Sequence, residues 1–301
     1  MCKICDFNNY GETFLNIECL DISNCPNVTS DQLHQILYLS KIKQLIAVDC
    51  PKLTYINLCG ISNILDTIDI QISNNIEIVD VTNCELLKYL NISNTSVNRI
   101  DLTKNIYLRQ LQCSTTKIDH LDLSKNIYLV NLYCVYTHLE YLDISCLTYL
   151  DRLDCGYCKN LKEIKIYNKV LNWIDCRKCP VKNIDISNCQ IIQYILLANC
   201  PIESLDISKC KFIALIDISY CRFLLKISST HQHTAYDSCP WIPQNKEFPD
   251  NLQNLIRIQR WYRRILIIKY IKSREFIEWI YTPNNIGGLL YKKHLLNSLK
   301  M

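Results

Sequence analysis

The sequence predicts a repeat solenoid: a parallel β-coil with short strands and few helices, followed by a C-terminal α-helix. Three observations predict it. An apolar anchor recurs every 10 or 11 residues from Val79 to Ile216, the residues around each anchor alternate apolar and polar, and cysteines recur at intervals of 21. Repetition on this scale marks a fold whose units cannot bury their apolar faces alone and do so against their neighbours.

The anchors are Val79, Leu90, Ile100, Leu111, Leu121, Leu132, Leu142, Leu153, Ile164, Ile174, Ile184, Ile195, Leu205 and Ile216. Three places before each stands Leu, Ile or Val, and two places after stands Leu, Ile, Val or Cys. Leu121-Asp122-Leu123-Ser124 shows the pattern. Alternation of this kind is a strand with one buried face. The interval leaves no room for a useful helix between anchors, so two strand-and-turn segments make one coil of 20–22 residues. With strands stacked at roughly 4.8 Å, seven coils over residues 76–221 give a rod of roughly 30–35 Å.

Composition narrows the alternatives. The 301 residues are 49% apolar, enough for a sizeable core, and carry only five glycines and no Gly-rich phosphate-loop motif. Nineteen cysteines is an odd number in a chain far longer than a secreted disulfide scaffold. The opening Met1-Cys2-Lys3-Ile4-Cys5-Asp6 has no apolar signal segment, and no uncharged apolar run is long enough to span a membrane. The expectation is an intracellular, reduced protein, in the cytoplasm of the host or producing cell and not secreted, with no transmembrane span.

The division expected is an N-terminal segment at 1–13, a solenoid at 14–227, a linker or cap at 228–249 and a basic helical tail at 250–301. Charge follows it: residues 251–301 hold ten Lys/Arg against two Glu, a net of +8, and residues 1–250 hold 23 against 27, a net of −4. The first unit, 20–45, differs from the rest. Ser30 reads as an N-cap, with Leu33, Ile36 and Leu37 on one helical face. The register near Ile68–Ile72 is blurred.

The pattern L-x-x-L-x-[LC]-x-x-[NC], carried by the anchors above, resembles that of leucine-rich-repeat proteins. Its nested 10+11 form with recurring Cys is similar to the 21-residue repeats of bacterial internalin-like proteins and of large DNA viruses of amoebae. The first unit resembles the cysteine-containing repeats of F-box substrate adaptors. The resemblance covers roughly residues 14–227 and implies a generic binding scaffold, since function on such a fold resides in grafted sites.

Cys113, Cys134, Cys155 and Cys176 are spaced by 21, as are Cys158, Cys179, Cys200 and Cys221, and Cys189 and Cys210. The first set falls at a core position and the second at the turn after a strand, so a packed thiol ladder is expected. The alternative is zinc at Cys155/Cys158 and Cys176/Cys179, although the repeat itself generates that spacing. His231, His233 and Cys239 are a further possible ligand group. No nucleophile elbow, HExxH or kinase motif occurs, and buried thiols are poor nucleophiles. No enzyme, no cofactor and no metal site are expected.

Function is therefore sought on the outward positions. One side of the coil carries a file of Asp80, Asp101, Asp122 and Asp143, then Lys165, Asp185 and Asp206. Two readings apply: each Asp binds turn amides and the Ser or Thr two places on, or the file docks a basic partner. The other side carries Tyr89, Gln112, Tyr133, Arg152, Trp173 and Tyr194 in one lane, residue types that anchor protein partners. In the tail, Pro249 starts and Pro283 ends a helix over about 250–281. Ile258, Gln259 and Arg263 match the first half of an IQ motif, while Lys269 misses the second basic position by one. The tail is open to three readings: a cap on the last coil, a helix for a calmodulin-like groove, or a contact for an anionic membrane or nucleic-acid surface.

Overall fold

The computed structural model describes residues 17–59, 64–211 and 213–228. On one side of the coil, ten strands form a continuous parallel sheet, here the main sheet. Their order is Cys19–Asp21, Gln44–Ile46, Thr67–Asp69, Tyr89–Asn91, Gln110–Gln112, Asn131–Tyr133, Arg152–Asp154, Trp173–Asp175, Tyr194–Leu196 and Leu215–Asp217. Each strand has three residues because only the anchor must point inward, and the chain turns as soon as its two neighbours are placed. The strands pair in register, so Arg152 lies beside Trp173 and Trp173 beside Tyr194.

The back of the coil is not continuous. Only three pairs form there among the described residues: Tyr55–Asn57 with Ile78–Asp80, Tyr141–Asp143 with Glu163–Lys165, and Ser204–Asp206 with Lys226–Ser228. The anchors Ile100, Leu121 and Ile184 stand in chain outside any strand, where the alternation had predicted one. The reason is coil length. Paired back anchors are 22 or 23 residues apart (Ile56 to Val79, Leu142 to Ile164, Leu205 to Ile227), whereas unpaired ones are 20 or 21 apart. The shorter coils lack the slack to reach pairing distance at the back once the main sheet is closed. Clefts remain at the unpaired places, one of about 640 Å³ beside Ile164 and Asp185 and one of about 470 Å³ beside Val79 and Asp101.

The blurred register has a similar origin. The strand Thr67–Asp69 is present, but Ile56 to Ile68 is a 12-residue interval. In the first unit the helix runs Ser30–Leu39 and its N-cap is Thr29, not Ser30. Thr29 has extended backbone, its hydroxyl accepts from the Gln32 amide, and the Gln32 side chain accepts from the Thr29 amide, a reciprocal capping box. The Ser30 hydroxyl instead accepts from the amides of Thr54 and Tyr55, tying the helix to the next coil.

A single apolar cluster extends from Leu20 to Leu224. All the main-sheet anchors are fully buried, and burying each Leu or Ile contributes roughly 1.5–3 kcal/mol. Ile100, at the back, is only partly covered. The cysteines form two kinds of column within this core, and every described cysteine is a free thiol. Cys113, Cys134, Cys155 and Cys176 are fully buried two places after an anchor; Cys155 also donates to Asp175 O at 3.3 Å, and its sulfur is 3.4 Å from that of Cys176.

The second column does more than fill space. Cys158, Cys179, Cys200 and Cys221 each donate an S–H to a carbonyl of the preceding coil, those of Cys134, Cys155, Cys176 and Leu197, at 2.9–3.1 Å. Thr95, Thr116 and Thr137 hold the same place and donate to a carbonyl of their own coil. A third column, at the back, reads Cys84, Asn105, Asn126, Leu147, Asn168, Cys189 and Cys210, one residue every 21. Asn105 and Asn126 each give two hydrogen bonds from Nδ2 to carbonyls of the preceding coil.

The turn after each main-sheet strand needs one residue in the left-handed region. Ten non-glycine residues supply it: Asn24, Asp49, Ile72, Asn94, Thr115, Tyr136, Tyr157, Lys178, Asn199 and Tyr220, with φ between 54° and 64°. The conformation aims the amide along the solenoid. Thr115 N–H reaches Val135 O at 2.7 Å, Tyr157 N–H reaches Arg177 O at 2.7 Å, and Lys178 N–H reaches Ala198 O at 2.9 Å. This backbone ladder offsets a steric cost of about 1 kcal/mol per residue.

Candidate binding face on the main sheet

The two sequence-level files separate cleanly. The aspartate file lies at the back and is occupied by turn chemistry. Asp80 and Asp101 Oδ1 each accept from the amide and hydroxyl of the threonine two places on, at 2.9 and 2.6 Å. Asp122, Asp185 and Asp206 accept from the amides of Ser124, Ser187 and Ser208 at 2.9 Å. Lys165 pairs with Asp143 at 3.3 Å. Hydroxyl and amide donors hold the carboxyls of Asp101 and Asp185 below their usual range, and the amide and hydroxyl of the following serine do the same for Asp122 and Asp206. The first of the two readings therefore describes these residues: the repeat uses each carboxylate to fold its own turn.

The lane of Tyr89, Gln112, Tyr133, Arg152, Trp173 and Tyr194 lies entirely on the outward face of the main sheet. It divides in two. At the N-terminal end, Tyr89 Oη accepts from Gln112 Nε2 at 3.2 Å and from Asn91 Nδ2 at 3.5 Å, so these groups satisfy one another. The other four form a stack. The Arg152 guanidinium lies 4.3 Å from the Trp173 ring centroid and 5.5 Å from that of Tyr133, and the Trp173 and Tyr194 rings are 4.6 Å apart. In-register pairing dictates this for Arg152, Trp173 and Tyr194, because successive coils bring side chains at one strand position to roughly 4.8 Å, while Tyr133, in register with Asp154, reaches Arg152 diagonally.

Sequence reasoning missed what lies beside the stack. Asp154 and Asp175 occupy the third position of adjacent strands, with Gly156 next to them. A methyl group on Gly156 would sit 3.2 Å from Asp175 Oδ1 and 3.6 Å from Asp154 Oδ1, so the absence of a side chain is what admits the two carboxyls. Arg177 clamps Asp175 through Nε at 2.9 Å and Nη2 at 2.5 Å. Burial pushes the Asp154 carboxyl up, as does Asp175 beside it, against the pull of Arg177 and Arg152. On the flank, Tyr136 and Tyr157 stack at 4.7 Å and Lys178 lies 4.9 Å above Tyr157. The signal for that flank was available: the three residues are 21 apart, at the left-handed position.

Of the four thiols weighed as zinc ligands, Cys155 and Cys176 have sulfurs 3.4 Å apart. Cys158 and Cys179 give their protons to carbonyls, and among the described residues no group of three or more His, Cys, Asp or Glu side chains gathers as for a metal. Burial pushes Cys200 and Cys189 up to about 12, far from thiolate character. No described helix is long and apolar enough to cross a membrane. The tail residues Ile258, Gln259 and Arg263, the group His231, His233 and Cys239, and the divisions at 1–13, 228–249 and 250–301 lie outside the described residues, apart from residue 228.

No protein-family model and no curated protein sequence matches the chain. Solved structures do. The chain is similar to a complex of LRIM1 with APL1C, at 15% identity, 73% of this chain, 40% of that chain and a TM-score of 0.53. It is similar to the functional domain of internalin J of Listeria monocytogenes, described as including a cysteine ladder, at 19% identity, 76% of this chain, 62% of that one and a TM-score of 0.35. It is also similar to a leucine-rich-repeat protein of Leptospira interrogans, at 14% identity, 75% and 74% coverage and a TM-score of 0.49.

Proposed function

The chain having the leucine-rich-repeat fold, we propose that it is a non-enzymatic protein-interaction scaffold whose partner docks on the outward face of the main sheet. One observation carries the reading: Tyr133, Arg152, Trp173 and Tyr194 stack side by side on four successive strands. Tyr, Trp and Arg dominate the energetics of protein interfaces: Tyr and Trp bury much area with few rotors, and Arg adds a planar fork of donors that also stacks on rings. A strip of them stacked on a continuous sheet presents such anchors already in place, which lowers the entropic cost of binding. The assembly of LRIM1 with APL1C is a precedent for partner binding by this fold. The test is affinity capture with the full chain and with Tyr133, Trp173 and Tyr194 all changed to Ala. Partners lost from the folded triple variant support the reading, and an unchanged partner list refutes it.

A second contact is proposed from sequence. The basic segment 250–301, with Ile258, Gln259 and Arg263 in half an IQ motif, would recruit a calmodulin-like protein and make the scaffold an adaptor. Retention of the full chain on immobilised calmodulin, with and without calcium, tests it. Retention lost on changing Ile258 and Gln259 to Ala supports it, and no retention in either condition ends it.

A further inference from the structure

Buried polar atoms in a folded protein find partners, and those that do not are few and informative. Five side-chain atoms among the described residues are buried without a hydrogen-bond partner, and three belong to one stretch of the main sheet: Arg152 Nε, Trp173 Nε1 on the paired strand, and Oδ1 of Asn172, the residue before Trp173. The other two, Asn105 Oδ1 and Asn126 Oδ1, are acceptors in the column at the back. Every orphaned donor therefore belongs to two in-register neighbours, Arg152 and Trp173.

Arg152 is also a cation without an ion pair among the described residues. The basic residues that do pair are Lys43, Lys88, Lys165 and Arg177. The nearest acid along its strand is Asp154, which is next to Asp175, which Arg177 clamps. Burial raises the Asp154 carboxyl toward its neutral form, so it is a poor counterion for Arg152. Trp173 at 4.3 Å covers one face of the guanidinium and Tyr133 lies 5.5 Å from it, so the N–H groups, which donate in the guanidinium plane, are met at the edge of the stack. A small swing of the Tyr133 ring, of the kind interfaces commonly show, would open it.

We infer that this point of the face receives an acidic residue of an extended peptide segment: its carboxylate binds the Arg152 guanidinium and the Trp173 N–H, and its backbone N–H binds Asn172 Oδ1. The inference rests on the binding-face reading and names the partner's chemistry. A carboxylate supplies acceptors for both donors, and the planar fork of arginine matches it in geometry as well as charge. A peptide amide supplies the donor that Asn172 lacks. Apolar residues flanking the acid would lie on Tyr133 and Tyr194.

The test is selection of a random decapeptide display library on the full chain, alongside Arg152→Gln and Trp173→Phe, each checked for an unchanged melting temperature. Wild type is expected to enrich peptides with Asp or Glu beside apolar residues. A selected acidic peptide should bind roughly ten- to a hundred-fold more weakly to Arg152→Gln, and about five-fold more weakly to Trp173→Phe, which keeps a ring and loses the N–H. Its Glu→Gln counterpart, which keeps an acceptor oxygen but no charge, should lose most of the difference between wild type and Arg152→Gln. Enrichment of neutral or basic peptides that still require Tyr133 and Trp173 overturns the carboxylate assignment and leaves the binding face standing. No enrichment by wild type overturns both.

Discussion

Replacing Cys179 by Ala removes two things that can be separated by measurement. Its side chain is 1% exposed, and its S–H donates to Cys155 O at 3.1 Å. Loss of a sulfur-sized group from a packed core costs about 1 kcal/mol. Orphaning the carbonyl adds about 1 kcal/mol more, at the low end because S–H is a weak donor. Cys113→Ala at a fully buried site without such a bond removes only the packing, about 1 kcal/mol. With a urea dependence of about 2–3 kcal/mol/M for a domain of this size, Cys179→Ala lowers the midpoint by about 0.8 M and Cys113→Ala by about 0.4 M. Cys179→Ser should recover part of the difference, since Ser73 makes the same bond across coils, to Ala47 O at 3.1 Å. Equal costs for the two alanine variants, or a serine no better than alanine, would show that the second column only fills space.

Thr115 is exposed and sits at φ 58° where other coils use Asn. Thr115→Asn should stabilise by about 0.5–1 kcal/mol, seen as a melting temperature raised by about 2 °C. Asn126→Ala breaks two buried hydrogen bonds, at 3.0 and 2.9 Å, and should cost about 3 kcal/mol in urea unfolding; Asn126→Cys should cost about half that, because Cys84, Cys189 and Cys210 hold the same place. Asp154 has a carboxyl raised on folding, so the unfolded chain ionises first and stability falls as pH rises from about 4 toward neutrality. Asp154→Asn should therefore stabilise by on the order of 1 kcal/mol at pH 7.5 and by nothing near pH 3.5, in melts across that range. Thirteen of the sixteen described thiols are buried, and labelling of the native protein with iodoacetamide should modify Cys19, Cys59 and Cys146 before any of them.

The period of the solenoid was plain in the sequence because one rule, an inward anchor every 10 or 11 residues, acts on almost every coil. The aspartate turns were equally legible, since Asp followed by Ser or Thr two places on closes its hydrogen bond within its own turn. Alternation alone puts the lane from Tyr89 to Tyr194 at outward positions, and these lie on the main sheet. What alternation could not give is which of its members touch: it puts both the closed set of Tyr89, Asn91 and Gln112 and the open stack around Arg152 at outward strand positions and separates neither. The carboxyl pair at Gly156 escaped for a similar reason, because it depends on two coils at once. Thr29 and Ser30 are both residue types that cap well, and only the reciprocal bond with Gln32 makes Thr29 the cap.

The coil-length rule at the back gives the molecule an unusual grammar of change. A point substitution alters one rung, but gaining a single residue in a 21-residue coil would shift its rear segment into stitching distance, and losing one from a 22-residue coil would unpick a seam. The front would keep time in either case. Lineages of such a chain can thus retune the stiffness of one side by adding or dropping single codons while the other side, with whatever it grips, stays in phase.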